Sequence, residues 1–372
     1  MQILEAQHLG ALLDTLRRRN YTVIGPTLRD NAIVLDEIQS VGDLPRGWTD
    51  EQEPARYSLE KRADGAFFGY VVGPFSWKKF LFPPRHCLLT ARRNGKSFDV
   101  VGPQKNDIHH YAFLGVRSCE LHAIDLHDKV FDSGEYADRN YSELRREAMI
   151  VCVNCVEPRG NCFCVSMKTG PRAEEGFDLA LTEILEEKLH YFVVQTGSAR
   201  GESLMADLPL RAAEASDLER MERALAGAVQ QMGRSLQTEG LPATLNENFE
   251  HPHWDDLAKR CMACGNCTMV CPTCFCSTVE DLTDLAGDTA ERWRKWDSCF
   301  TSDFTKIAGG NIRMSTRTRY RQWMMHKLAH WVDQFGAFGC VGCGRCITWC
   351  PVGIDITAEA RAIQQSSAAK TV

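Results

Sequence analysis

Leu9, Leu12, Leu13 and Leu16 recur at i, i+3, i+4 and i+7, which lines them along one face of a helix. The apolar runs at 21–24 and 32–35 flank Arg29-Asp30-Asn31, a polar triplet suited to a turn, and predict a β-hairpin. Further strands are expected at 67–72, 79–82, 98–101 and 111–116. Pro83-Pro84 closes the second of them, because proline cannot donate to a sheet ladder. The runs at 149–153 and 191–195 are almost wholly apolar, as in strands covered on both faces. Helical patterns at 120–130 and 179–188 intervene, so the first half reads as a mixed α/β domain. Ser216-Asp217-Leu218-Glu219 has the form of a capping box and opens a helix reaching Arg234. Its stripe of Leu218, Met221, Leu225, Val229 and Met232 predicts core packing rather than a cofactor contact. Gly240, Pro242, Asn246 and Asn248 then loosen the pattern and divide the chain into 1–245 and 246–372. In the second part, residues 314–335 read as helical.

A chain of 372 residues has ample length for packed cores in two or three domains. The net charge of −6 exerts no global pull toward nucleic acid or an anionic membrane. No apolar run approaches the ~18 residues of a membrane span. Residues 1–20 lack the apolar core of an export signal, and Arg17-Arg18-Arg19 follow the leucines rather than precede them. The 17 cysteines change the picture. Without an export signal their close spacing asks for metal in a reducing compartment, and the cytoplasm is the expected location.

Cys261-Met-Ala-Cys264-Gly-Asn-Cys267-Thr-Met-Val-Cys271-Pro272 and Cys340-Val-Gly-Cys343-Gly-Arg-Cys346-Ile-Thr-Trp-Cys350-Pro351 both read C-x2-C-x2-C-x3-C-P. That run holds a [4Fe–4S] cubane with its first three thiolates, while the distal Cys-Pro reaches the neighbouring cluster. The expected ligand sets are Cys261, Cys264, Cys267 and Cys350 (cluster A) and Cys340, Cys343, Cys346 and Cys271 (cluster B). Zinc also takes C-x2-C pairs, but three close cysteines plus a Cys-Pro, twice over, fit a tetrahedral ion poorly. The 68 residues between the motifs exceed a compact ferredoxin hairpin and, with the helical 314–335 segment, point to an α-helical ferredoxin-type di-cluster domain.

Cys119, Cys152, Cys155, Cys162 and Cys164 form a second dense group. Cys119 opens a predicted helix, whose N-terminal dipole lowers a thiol pKa. Cys155 follows the apolar strand, and Cys162 and Cys164 lie in the next loop; strand ends and loops of a parallel sheet converge at one edge. Cys119, Cys155, Cys162 and Cys164 are chosen as ligands of a third cluster, with zinc or plain buried thiols as alternatives. Cys152, inside its strand, reads as an inert core thiol. Cys274 and Cys276 are expected to pack beside cluster B, and Cys87 and Cys299 to be buried thiols.

There is no G-x-G-x-x-G after a strand and no P-loop, hence no nucleotide fingerprint. Gly339, Gly342 and Gly344 are expected to relieve crowding around cluster B, and Ala308-Gly309-Gly310 to end a helix. No thiolates remain for a nickel site. His122 and His326 read as structural histidines, and no catalytic residue is assigned. Arg292, Arg294, Lys295, Arg313, Arg317, Arg319, Arg321 and Lys327 make the 272–339 segment basic. Solvated helix faces are the expectation there, ahead of acidic partners or nucleic acid. Trp293, Trp296, Tyr320 and Trp323 are expected to cover the clusters, since burial tunes cluster potential.

Gly115-Val-Arg-Ser118-Cys119-Glu-Leu, Asn154-Cys155, Cys162-Phe-Cys164-Val-Ser-Met-Lys-Thr-Gly170-Pro171, Cys271-Pro-Thr-Cys-Phe-Cys276, Ala308-Gly-Gly310 and His326-Lys327 together resemble one family. It is the iron–sulfur beta subunit of cytoplasmic NAD(P)-linked nickel–iron hydrogenases, or sulfhydrogenases, with the A subunit of anaerobic sulfite reductase as a relative. The resemblance runs from about Tyr21 to Ile363. It implies an electron-transfer subunit of an oxidoreductase complex, carrying three [4Fe–4S] clusters and performing no substrate chemistry itself. The implied partners are a flavin and NAD(P)-binding subunit, a small iron–sulfur subunit and a catalytic nickel–iron subunit, or a flavin and a sirohaem subunit in the sulfite reductase. Ser118 stands where the family pattern favours proline. The alternative of another class is a metal-stabilised nucleic-acid-binding module, against which the modest charge and the ferredoxin-type spacing both argue.

Overall fold

The computed structural model describes residues 1–71, 73–102, 109–186 and 188–368. Its largest element is an eight-stranded sheet with spatial order Leu210–Ala212, Gln2–Glu5, Leu189–Thr196, Leu179–Glu186, Met149–Val153, Tyr111–Val116, Thr22–Arg29 and Ala32–Glu37. The four strands from Leu179–Glu186 to Thr22–Arg29 run parallel, and the flanking ones are antiparallel. Alternation explains the apolar runs. Val151 and Val153 enter the core shared with the helix Leu9–Arg18, while Ile150 and Cys152 enter the core on the opposite face. Cys152 is thus a fully buried core thiol. The hairpin at 29–32 turns on Asp30 and Asn31, both at positive φ, which suits a two-residue loop between twisted strands.

Four expected elements differ in the structure, for identifiable reasons. Residues 179–186 are a strand rather than a helix, because both faces are covered and period-two alternation is masked by apolar residues on each; Glu187 lies outside the described residues. The 79–82 stretch falls largely in a short helix, Lys78–Leu81, with Leu81 and Phe82 buried against the sheet. Residues 67–71 form no strand: the Phe67 and Phe68 amides donate to the Glu183 carboxylate at 2.7 and 2.8 Å, and the Val71 amide donates to Asp50 at 2.8 Å. Carboxylates satisfy these donors in place of a neighbouring strand; Val72 lies outside the described residues. The helix Ala215–Gln230 is capped from Glu214, whose amide donates to Asp217 at 3.1 Å, two residues before the expected cap.

A second sheet, ordered Ser277–Thr283, Thr289–Trp296, Arg85–Asn94 and Ser97–Val101, draws two strands from each side of position 245. Arg292 and Lys295 therefore lie on a strand, not a helix, paired with Asp281 and Glu280 at 2.7 and 2.5 Å; Arg294 pairs with Asp138. Arg317 and Arg321 meet Glu250 at 2.7 and 2.8 Å from the helix Thr316–Met325. Much of the basic segment is thereby neutralised within the chain. Gly310 belongs to the small hairpin Lys306–Ile307 and Gly310–Asn311, not to a helix end.

The second part packs Leu241–Glu247, His253–Arg260, Thr316–Met325 and Ile356–Ala368 around Trp254, Tyr320, Trp323, Met324 and Leu328. Thr316–Met325 continues through a π turn, His326–His330, into Trp331–Phe335. Among the described residues no helix is long and apolar enough to cross a membrane.

Candidate metal centres

Cys261, at the end of the helix His253–Arg260, joins Cys264, Cys267 and Cys350 around a cavity of about 400 Å³, open mouth included. Phe300, Tyr320, Trp323 and Cys346 also line it. Here the expected aromatic cover is present from Tyr320 and Trp323, whereas Trp293 and Trp296 lie on the second sheet. The Ala263 amide donates to Cys261 Sγ and the Ile354 amide to Cys350 Sγ, both at 3.4 Å. Such N–H donors favour a negatively charged sulfur. Cys264 is exposed, so this group reaches the surface.

Cys340, Cys343, Cys346 and Cys271 form the second group. Burial pushes the Cys346 thiol up, and the neighbouring sulfurs of Cys340, Cys271, Cys343 and Cys267 push it further. Burial likewise takes Cys340 up to about 12. Four thiols this close cannot all ionise unaided, and a group supplying positive iron offsets that cost. Cys271 is also hydrogen-bonded by the ammonium of Lys327 at 3.2 Å.

The third group gathers distant segments. Cys119 is the second residue of the helix Ser118–Phe131, Cys155 follows the strand Met149–Val153, and Cys164 opens the short helix Cys164–Met167. With Cys162 they line a cavity of about 450 Å³, whose wall also includes Arg117, Met232, Cys343 and Arg345. The helix N-terminus does not dominate at Cys119: burial, then the sulfurs of Cys164 and Cys343, push its thiol well up. Cys164 is pushed up to about 12, first by burial and then by Cys155 and Cys343. Met232, expected in a core stripe, lies beyond the end of its helix with its sulfur 3.9 Å from Cys164 Sγ.

Polar contacts position these loops. The buried Arg117 donates to the Phe68 and Tyr70 carbonyls at 2.8 Å each and to the Asn154 carbonyl at 3.3 Å. Asn154 accepts from the Ala173 amide and donates to Thr182, both at 2.8 Å. Ser118, where the family pattern favours proline, donates its hydroxyl to the Arg172 carbonyl at 2.7 Å. A proline has no such hydroxyl, so the serine adds a tie between the helix start and the 170–172 loop.

Two glycines bring the second motif against the third group. Gly342 has φ +67°, and a Cβ there would stand 2.7 Å from the Cys164 backbone; Gly344 has φ +76°, and its Cβ would stand 2.4 Å from the Asn161 carbonyl oxygen. The Phe163 amide donates to the Gly342 carbonyl at 2.9 Å. The crowding these glycines relieve is thus between two cysteine loops rather than within one. The buried Arg345 seals the junction, meeting Glu120 at 2.7 Å. Glu120 also accepts from Trp77 Nε1 at 3.0 Å.

Among the remaining cysteines, Cys274 neighbours Cys271 and Cys276 neighbours Cys299. A hydrogen bond from Cys299 brings the Cys276 thiol down to about 7. Cys87 and Cys299 are half-buried rather than fully buried, and Cys87 sits on the second sheet. Burial lowers the pKa of His122, and burial with the Lys327 charge takes His326 down to about 4, so both rings are neutral at pH 7. Cysteine sulfurs lining each of the two cavities are soft donors that suit a [4Fe–4S] group.

Residues 260–354 match a family described as a 4Fe-4S dicluster domain. Over 337 residues, 90% of this chain and 89% of the other, the sequence is 31% identical to sulfhydrogenase 2 subunit beta of Pyrococcus furiosus. No solved structure matches.

Proposed function

The chain belongs to the family of sulfhydrogenase beta subunits, and on that premise we propose that it relays single electrons through three [4Fe–4S] groups between partner subunits. When bound, each group supplies one-electron redox chemistry. Cys261, Cys264, Cys267 and Cys350 would hold one, Cys271, Cys340, Cys343 and Cys346 the second, and Cys119, Cys155, Cys162 and Cys164 the third. In this reading residues 1–245 carry the third group and 246–372 the other two. A flavin and NAD(P)-binding subunit at one end, with a small iron–sulfur subunit and a catalytic nickel–iron subunit at the other, would make the complex a cytoplasmic hydrogenase.

One observation carries the reading. Cys343 lines the cavity of the third group, and Cys346 lines the cavity of the first. These shared walls support an order in which the Cys271 group stands between the other two, as a relay requires. In this reading the residues of this chain space the groups and donate hydrogen bonds to their sulfurs, and Phe300, Tyr320 and Trp323 cover the first of them. The exposure of Cys264 supports a reading in which the first group is an end that meets a partner. Metal and sulfide analysis of the anaerobically purified complex tests this. About 12 irons attributable to this chain support three groups, whereas about eight leave only the motif pair. Nickel in the same sample supports the hydrogenase; sirohaem without nickel would replace it by the sulfite reductase.

A further inference from the structure

Three buried cations, Arg345, Lys78 and Lys327, lie near the central thiol group, and their charges are balanced differently. Lys78 donates to the Cys274 carbonyl at 3.1 Å and sits 4.0 Å over the Trp296 ring, without touching a sulfur of the group. Arg345 reaches Cys343 of the group but also meets the carboxylate of Glu120 at 2.7 Å, which offsets its charge. Lys327 is as deeply buried, yet its ammonium donates to Cys271 Sγ at 3.2 Å, Thr273 Oγ1 at 3.0 Å and the Gly339 carbonyl at 3.3 Å. Thr273 in turn donates to the Gly339 carbonyl at 2.8 Å, which leaves its oxygen free to accept from the lysine. Three acceptors around one nitrogen match the three N–H bonds of an ammonium, which has no lone pair to offer. None of the three is a carboxylate. The π turn His326–His330 carries Lys327 at this point, a local widening of the kind often found where a helix serves a site.

A buried, uncompensated positive charge is costly unless something anionic stands beside it. The four sulfurs of the central group, Cys271, Cys340, Cys343 and Cys346, are all buried or half-buried, and that of Cys271 touches the ammonium.

We propose that Lys327 tunes the central group, its fixed charge raising that group's reduction potential so that an electron passing along the chain is held there. The inference rests on the functional reading above. An arriving electron adds one negative charge to the group, and the nearby ammonium stabilises that reduced state more than the oxidised one. No bond forms or breaks at Lys327, which keeps its three protons in both states. Arg345 also reaches the group, through Cys343, but the carboxylate of Glu120 beside it offsets its charge, whereas no carboxylate bonds the Lys327 ammonium.

The test is a potentiometric titration of the intact complex, followed by electron paramagnetic resonance, for wild type, Lys327→Met, Lys327→Gln and Lys327→Arg, each with its iron content measured. The expected result is one reduction step moved to lower potential in the two neutral variants. The other steps stay in place, iron is unchanged, and Lys327→Arg lies close to wild type. Unmoved potentials in Lys327→Met at full iron content would overturn the inference. So would loss of about four irons in both neutral variants with Lys327→Arg intact, since the lysine would then support the group structurally rather than tune it. A wild-type complex lacking iron at the central group would strike down the functional reading itself, which the iron measurement reports separately from the potentials.

Discussion

The cavity of Cys261, Cys264, Cys267 and Cys350 and that of Cys119, Cys155, Cys162 and Cys164 hold the same four-thiol chemistry, but they are built in opposite ways. The first takes three of its sulfurs from seven consecutive residues and leaves Cys264 exposed. The third takes its sulfurs from a helix start, a strand end and a loop, and depends on polar ties from Arg117, Asn154, Arg345 and Glu120. A contiguous motif carries its own geometry, whereas an assembled one borrows it from the fold. The assembled site should therefore be the more sensitive to substitutions away from its ligands.

The sharpest contrast comes from the ligands themselves. Cys267→Ser and Cys162→Ser should each remove about four irons and abolish electron transfer through the complex, with the remaining groups retained. Iron analysis and the rate of electron transfer check both, and retention of all iron by either variant would refute that ligand assignment. Next in size is Arg345→Ala, which strands the buried carboxylate of Glu120 and should cost about 3–5 kcal/mol in denaturant unfolding. It should destabilise the assembled site before the contiguous one. Gly342→Ala should cost about 1–3 kcal/mol, because alanine at positive φ is strained and its Cβ meets the Cys164 backbone. Iron loss confined to the Cys119 group would place the damage at that junction; a variant as stable as wild type would remove the junction from the account. Smallest is Ser118→Ala, which deletes one hydrogen bond to the Arg172 carbonyl and should cost about 1 kcal/mol. Its melting temperature should fall slightly with iron unchanged.

The same contrast explains what was legible in the sequence. The paired C-x2-C-x2-C-x3-C-P runs were readable because spacing alone carries their geometry. The leucine stripe of the first helix and the Asp30-Asn31 hairpin were readable because their signals are local. At the third site, spacing left zinc and plain thiols open, and the family resemblance had to supply the preference. Met232 was assigned to a core by helical periodicity, but the helix stops at Gln230 and the chain turns it toward Cys164. The Phe67–Phe68 segment resembled a strand because its amide partner, Glu183, is 115 residues away in sequence. The sheet joining Arg85–Asn94 to Thr289–Trp296 is equally non-local, and no period within either strand announces its partner.

The central claim is that the Cys271 group stands between the other two. Paramagnetic resonance of the fully reduced complex tests it most directly, through magnetic coupling between neighbouring groups in Cys162→Ser, Cys267→Ser and Cys340→Ser. Removing either end group should leave one coupled pair, and removing the middle group should leave two uncoupled signals. Strong coupling between the surviving groups in Cys340→Ser would contradict the order.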